Sequence, residues 1–238
     1  MDLEDAVPPE AKQEARRCLH LCLGLSIYAV LVGINGMDSP WHTDDVALVS
    51  SLPIEGVVLP KAEMGRSLLR LTGDLRRCLP IVALIETARG LRDTFEIAAL
   101  PGIMRLAFGS IDFCAEVGCA HAREALLSAR SSLVLASRLA GKVPPLDGVT
   151  TSIDDADLVR DNARDARDLG FGGKLAIHPG QVGPICAGFR ADERDIAWAH
   201  KVLGAGEGAV AVDGAMVDAP VRIRAHSILA RARLTQLR

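Results

Sequence analysis

The sequence predicts an α/β fold, a parallel sheet wrapped by helices in a barrel of the (β/α)8 type that is short of eight strands. Three observations predict it. Short, continuous apolar runs alternate with amphipathic stretches, the pattern of strands buried on both faces with helices packed over them. Hydrophobic residues make up 49% of the chain but aromatics only 3%, so the core must come from Ala, Leu, Val and Ile. The 238 residues suit one large domain, 1–238, and no low-complexity linker divides them.

Taken in order, MDLEDAV (1–7) reads as the tail of a strand entering the helix PPEAKQEARRCLHLC (8–22), with Pro8 and Pro9 at its start. Full strands are expected at 26–34, 54–60, 80–86, 103–109, 144–150 and 172–178, mostly spaced as βα units. Apolar residues recur three and four apart in LRDTFEIAALP (91–101), 123–141, 155–170 and 193–208, which predicts helices. The tail 205–238 reads as an extended piece, an Asp-Gly turn and a terminal helix, forming a lid or oligomerisation segment.

Composition excludes several classes. A net charge of −3 gives no basic footprint for nucleic acid. The six cysteines are scattered without zinc-ligand spacing and read as buried, reduced thiols of a cytoplasmic protein. Residues 18–34 are almost wholly apolar but too short for a membrane span, and the acidic opening is no secretory leader.

Carboxylates stand where apolar runs end. Glu86 closes PIVALIE, Asp112 follows IMRLAFG, and Asp2, Glu4 and Asp5 lie in the opening fragment. Strand ends in a parallel barrel converge on one mouth, and converging hard oxygens suit Mg²⁺. Each carboxylate alone could instead cap a helix or face solvent.

These segments resemble the HpcH/HpaI aldolase and citrate lyase β-subunit family. ALIETARG (83–90) and RLAFGSIDFCAEVG (105–118) resemble its metal-site motifs. MDLEDAVPPEAK, GINGMDSPW (33–41), GVVLPKAE (56–63), GGKLAIHPGQV (172–182) and DGAMVDAP (213–220) match further blocks in the same order. The resemblance implies a TIM barrel lacking its first βα unit, with Glu86 and Asp112 as Mg²⁺ ligands. It implies cleavage of a β-hydroxyacyl thioester, carried on CoA or an acyl-carrier protein, to an acyl thioester and a 2-keto acid. Gly109 and Ser110 would let backbone amides approach the substrate, or simply form a tight turn. Asp2, Glu4 and Asp5 match an acidic block near the metal and thioester, Asp2 binding substrate and Glu4 and Asp5 catalytic; Asp5 could equally cap a helix. Lys61 would offer a cation at the mouth, or belong to an ion pair. His178 matches a block near the acyl channel, or is satisfied by a backbone carbonyl. Asp218 matches an acid lent by a neighbouring subunit in a homotrimer or hexamer, or is an exposed turn residue.

Two departures from the family stand out. Its usual opening strand, R-S-x-L-F-V-P-G, has no counterpart here, and Gly33 stands where a second arginine is usual. Both would grip a substrate carboxylate. The departures favour a second reading, a catalytically impaired binding or assembly subunit.

Overall fold

The computed structural model describes residues 1–24, 28–75, 79–206, 208–212 and 214–236. Six parallel strands pair in chain order: β1 (Leu31–Gly33), β2 (Gly56–Leu59), β3 (Ile81–Ile85), β4 (Ile103–Phe108), β5 (Leu146–Asp147) and β6 (Gly173–Lys174). Each lies within one of the expected runs; residues 26 and 27 of the first run are outside the described residues. The sheet curls as a half-barrel. Beyond β1 the opening segment adds a further pairing. Asp2 bridges Gly33 in parallel, with the Leu3 N–H donating to the Gly33 carbonyl at 2.9 Å.

Burial explains why these runs are strands. Val32, Val57, Leu59, Ile81, Ala83, Ile85, Leu106 and Phe108 are wholly buried and alternate along their strands. Each larger side chain among them contributes about 1.5–3 kcal/mol by leaving water. β5 and β6 are only two residues long. Pro144 and Pro145 lead into β5 and have no N–H to donate to a ladder.

Helices follow the strands: α1 (Lys12–Leu23), α2 (His42–Val49), α3 (Arg66–Leu75), α4 (Ala88–Arg92), α5 (Thr94–Ala99), α6 (Ser110–Val117), α7 (Arg123–Leu139), α8 (Ala156–Leu169) and α9 (Val182–Phe189). In α7 the buried Leu126, Ala129, Leu133 and Ala136 recur three or four apart, which turns one stripe to the core. α6 ends at Gly118, whose φ of 76° suits glycine. The single helix expected over 91–101 is instead the end of α4 followed by α5. Asp93 interrupts it, buried and accepting from the Met64 N–H at 3.2 Å and from Arg92.

The C-terminal part has its own small core. α10 (Glu193–Gly204), the antiparallel hairpin β7 (Val210–Val212) and β8 (Ala215–Val217), and α11 (Ala219–Gln236) enclose Ala199, Val202, Val212, Val217, Ala225 and Ile228. Within it α10 packs on α11. Asp213 of the expected Asp-Gly turn lies outside the described residues.

The expectation of buried thiols needs correction. Cys114 is buried, but Cys18, Cys22 and Cys186 are exposed; Cys78 lies outside the described residues. Among the described residues no helix is long and apolar enough to cross a membrane.

Candidate metal centre

Glu86 follows β3 directly and is 2% exposed. Its Oε1 accepts the Lys61 backbone N–H at 2.8 Å. Lys61 reaches that geometry in the left-handed region, with φ of 46°, an uncommon conformation for a residue with a side chain. On the other side stands Gly109, immediately after β4. A methyl group built there would fall 2.5 Å from Glu86 Cβ, so glycine is required by space and not by its φ of −85°. The alternative of a simple tight turn is therefore replaced by close packing against the carboxylate.

Burial pushes the Glu86 carboxyl up to about 7, against the Lys61 N–H. The charges of Asp112 and Glu4 raise it further. Asp112 lies in the first turn of α6 and is exposed. Glu4 is half-buried, and its Oε1 accepts from Lys61 Nζ at 2.6 Å. Burial raises the Glu4 carboxyl despite that partner, while the same pair outweighs burial at Lys61 and raises its ammonium. A cavity of about 510 Å³ adjoins this group, lined by Glu4, Asp5, Lys61, Glu63, Thr87 and Trp41 among others.

The remaining expected site residues take other positions. Asp2 is held by the backbone, its Oδ1 accepting from the Glu4 N–H at 2.9 Å and its Oδ2 from the Ala6 N–H at 3.3 Å. It also fills the space beside Gly33, where a methyl group would lie 2.8 Å from Asp2 Oδ1. Asp5 is exposed and lines the cavity. Ser110 is buried, and its hydroxyl bonds His121 Nε2 at 2.9 Å. His178 is exposed and its Nδ1 accepts from the Gly180 N–H at 3.1 Å, capping the turn Pro179–Gln181. Asp218 caps α11, accepting from the Val221 N–H at 3.3 Å.

Sequence reasoning missed a second charged group. Arg130 of α7 grips Asp147 of β5 at 3.0 and 3.1 Å and also bonds Asp165 of α8 at 2.7 Å. Lys174 of β6 bonds the same Asp147 at 3.0 Å and the Gly148 carbonyl. Gln181, 1% exposed, likewise ties the Thr150 and Ser152 carbonyls. Asp147 ends a strand just as Glu86 does, and that signal could have singled it out.

Fold and site thus define a parallel α/β protein with carboxylates gathered where successive strands end. The profile of the HpcH/HpaI aldolase/citrate lyase family matches residues 1–179, and the chain belongs to that family. It is 37% identical to the citrate lyase subunit beta-like protein of Deinococcus radiodurans, covering 96% of this chain and 87% of that one. It is 31% identical to a (3S)-malyl-CoA thioesterase of Cereibacter sphaeroides, over 97% of this chain and 85% of the other. Its structure is similar to CitE of Mycobacterium tuberculosis in complex with magnesium, acetoacetate and coenzyme A. The TM-score is 0.87 at 31% identity, covering 98% of this chain and 88% of that one.

Proposed function

We propose that this chain is a magnesium-dependent carbon–carbon lyase that cleaves a citryl-, malyl- or citramalyl-like thioester to an acyl thioester and a 2-keto acid. The observation that carries this reading is Glu86, a buried carboxylate held by one backbone N–H with Asp112 as a like-charged neighbour. Magnesium takes few protein carboxylates and completes its shell with water and substrate oxygens. The donor set fits: a dication between Glu86 and Asp112 would offset both the burial and the repulsion.

Bound there, magnesium would act as a Lewis acid toward the keto-acid oxygens and steady the charge that develops as the C–C bond breaks. The Lys61 N–H orients Glu86, and Gly109 keeps the backbone close to it without a side chain. Glu4, paired with Lys61, stands at the edge of the cavity as the catalytic carboxylate of this reading. Asp218 serves as acid or base from a neighbouring subunit of a trimer or hexamer, and the thioester carrier is CoA or a carrier protein, in the cytoplasm. Light scattering tests the assembly: a monomer at micromolar concentration would remove the shared site.

The second reading, an impaired binding or assembly subunit, draws support from Asp2. Its carboxylate occupies the space beside Gly33, the position where relatives of this type usually carry an arginine. Calorimetric titration with Mg²⁺ and assay with citramalyl-, malyl- and citryl-thioesters separate the two. Tight Mg²⁺ binding that Asp112→Ala removes, with turnover, supports the lyase. Binding without turnover supports the second reading, and no Mg²⁺ binding overturns the metal centre.

A further inference from the structure

Ser110 opens α6, two residues before Asp112, yet its hydroxyl takes no part in the carboxylate cluster. It lines a separate cavity of about 80 Å³ with His121, Arg130, Asp147, Gly148 and Lys174, which neither Glu86 nor Asp112 lines. Two features fix Ser110 there. His121 Nε2 lies 2.9 Å from its hydroxyl. Gly148 lies under it so closely that a methyl group at 148 would come 2.5 Å from Ser110 Cβ. Gly148 is itself clamped, because Lys174 donates to its carbonyl while Lys174 and Arg130 both hold the adjoining Asp147.

We infer that His121 is a positioning residue for the metal centre: with the Gly148 platform it pins the first turn of α6, and so sets where Asp112 presents its carboxylate. The inference rests on the metal reading above. A helix start with only its own backbone bonds frays. His121, reaching in from the loop before α7, supplies an outside anchor at that start. Groups behind metal ligands commonly set affinity through orientation alone.

The test uses His121→Ala, His121→Gln and Gly148→Ala in the full chain. Glutamine places an amide near the position of Nε2, so it should restore the bond. Calorimetry should show Mg²⁺ affinity weakened roughly 3–10-fold in His121→Ala and Gly148→Ala, but within about twofold of the parent in His121→Gln. Hydrogen exchange of residues 110–114 without metal should speed about tenfold in His121→Ala and stay normal in His121→Gln. Affinity within twofold in His121→Ala, or equal loss in Ala and Gln variants, overturns the inference. If the parent chain binds no Mg²⁺, the metal reading fails. The brace then stands or falls on exchange alone, and unchanged exchange in His121→Ala refutes it.

Discussion

Two charged groups sit near the carboxyl ends of the strands, and they are built on opposite terms. Around Asp147, two cations face two carboxylates: Arg130 and Lys174 against Asp147 and Asp165. The Arg130, Asp147 and Lys174 side chains are 4–6% exposed, and each is paired. Around Glu86, the Lys61 ammonium pairs with Glu4, and Glu86 itself receives only the Lys61 backbone N–H, with the charges of Asp112 and Glu4 beside it. One group is electrically complete. The other holds a buried carboxyl whose ionised form is opposed by burial and by like-charged neighbours. Balance in the first group marks a brace between β5, β6, α7 and α8; imbalance in the second is what the proposed metal reading draws on.

The sharpest way to break this contrast is Arg130→Ala. Removing one partner strands Asp147 with only Lys174, and breaking a buried pair costs roughly 3–5 kcal/mol. Urea unfolding should show a loss of that size. A loss below about 1 kcal/mol would mean that the cluster is a solvated surface feature.

The opposite sign is expected at Glu86. Its folded pKa of about 7 lies above the value of 4.5 usual for the unfolded chain. Between those values the folded protein binds more protons than the unfolded one, so metal-free stability falls as pH rises from 4.5 through 7. The cost, fully developed above pH 7, is about 3 kcal/mol. Glu86→Gln should remove this slope, leaving the metal-free variant more stable than the parent at pH 8 by an amount of that order. Urea midpoints at pH 5 and pH 8, measured for both proteins with a chelator present, decide it. Parallel pH profiles for the two proteins would exclude Glu86 as the strained charge.

The two groups were also unequally legible in the sequence. Glu86 directly follows a long apolar run and Asp112 lies in the helix just after another, so their nearness to strand ends could be read from the order of residues alone. The strands themselves were legible because parallel strands buried on both faces leave unbroken runs such as PIVALIE. Arg130 and Asp147 lie 17 positions apart, and Lys174 is 27 beyond Asp147. On a sequence, Arg130 is one more cation in REALLSARSSLVLASRLAG, where charges usually face water. Only the packing of α7 against β4 and α8 turns it inward. The break at Asp93 was hidden for a similar reason. Its cause is a bond to the Met64 N–H, 29 positions earlier, and nothing in the helical period of 91–101 announces it.

Gly109→Ala tests whether the gap beside Glu86 belongs to the strained group. The added methyl would come within 2.5 Å of Glu86 Cβ, so side chain or backbone must move. Overpacking of this kind costs about 1–3 kcal/mol. The rise in Tm produced by saturating Mg²⁺ should also shrink by more than half. A variant that keeps the full Mg²⁺ increment would place the cation elsewhere in the mouth.

The smallest expected effect separates backbone strain from charge at Lys61. Its φ of 46° aims its N–H at Glu86, and its ammonium pairs with Glu4. Alanine and glycine at this position both remove the ammonium, and both keep the N–H. They differ in that glycine adopts the left-handed region without a steric penalty, whereas alanine does not. The Glu4 pair is half-exposed on the lysine side, so its loss costs only about 0–1 kcal/mol, equally in both variants. Lys61→Ala should therefore be destabilised by up to about 1 kcal/mol. Lys61→Gly should be more stable than Lys61→Ala by roughly 1 kcal/mol, the cost of a side chain held in this conformation. Because both variants lack the same charge, the difference between their urea midpoints reports the strain less glycine's extra unfolded-state freedom. A Lys61→Ala protein more stable than Lys61→Gly would show that Lys61 sits in its turn without strain, and that Glu86 is oriented by an ordinary loop.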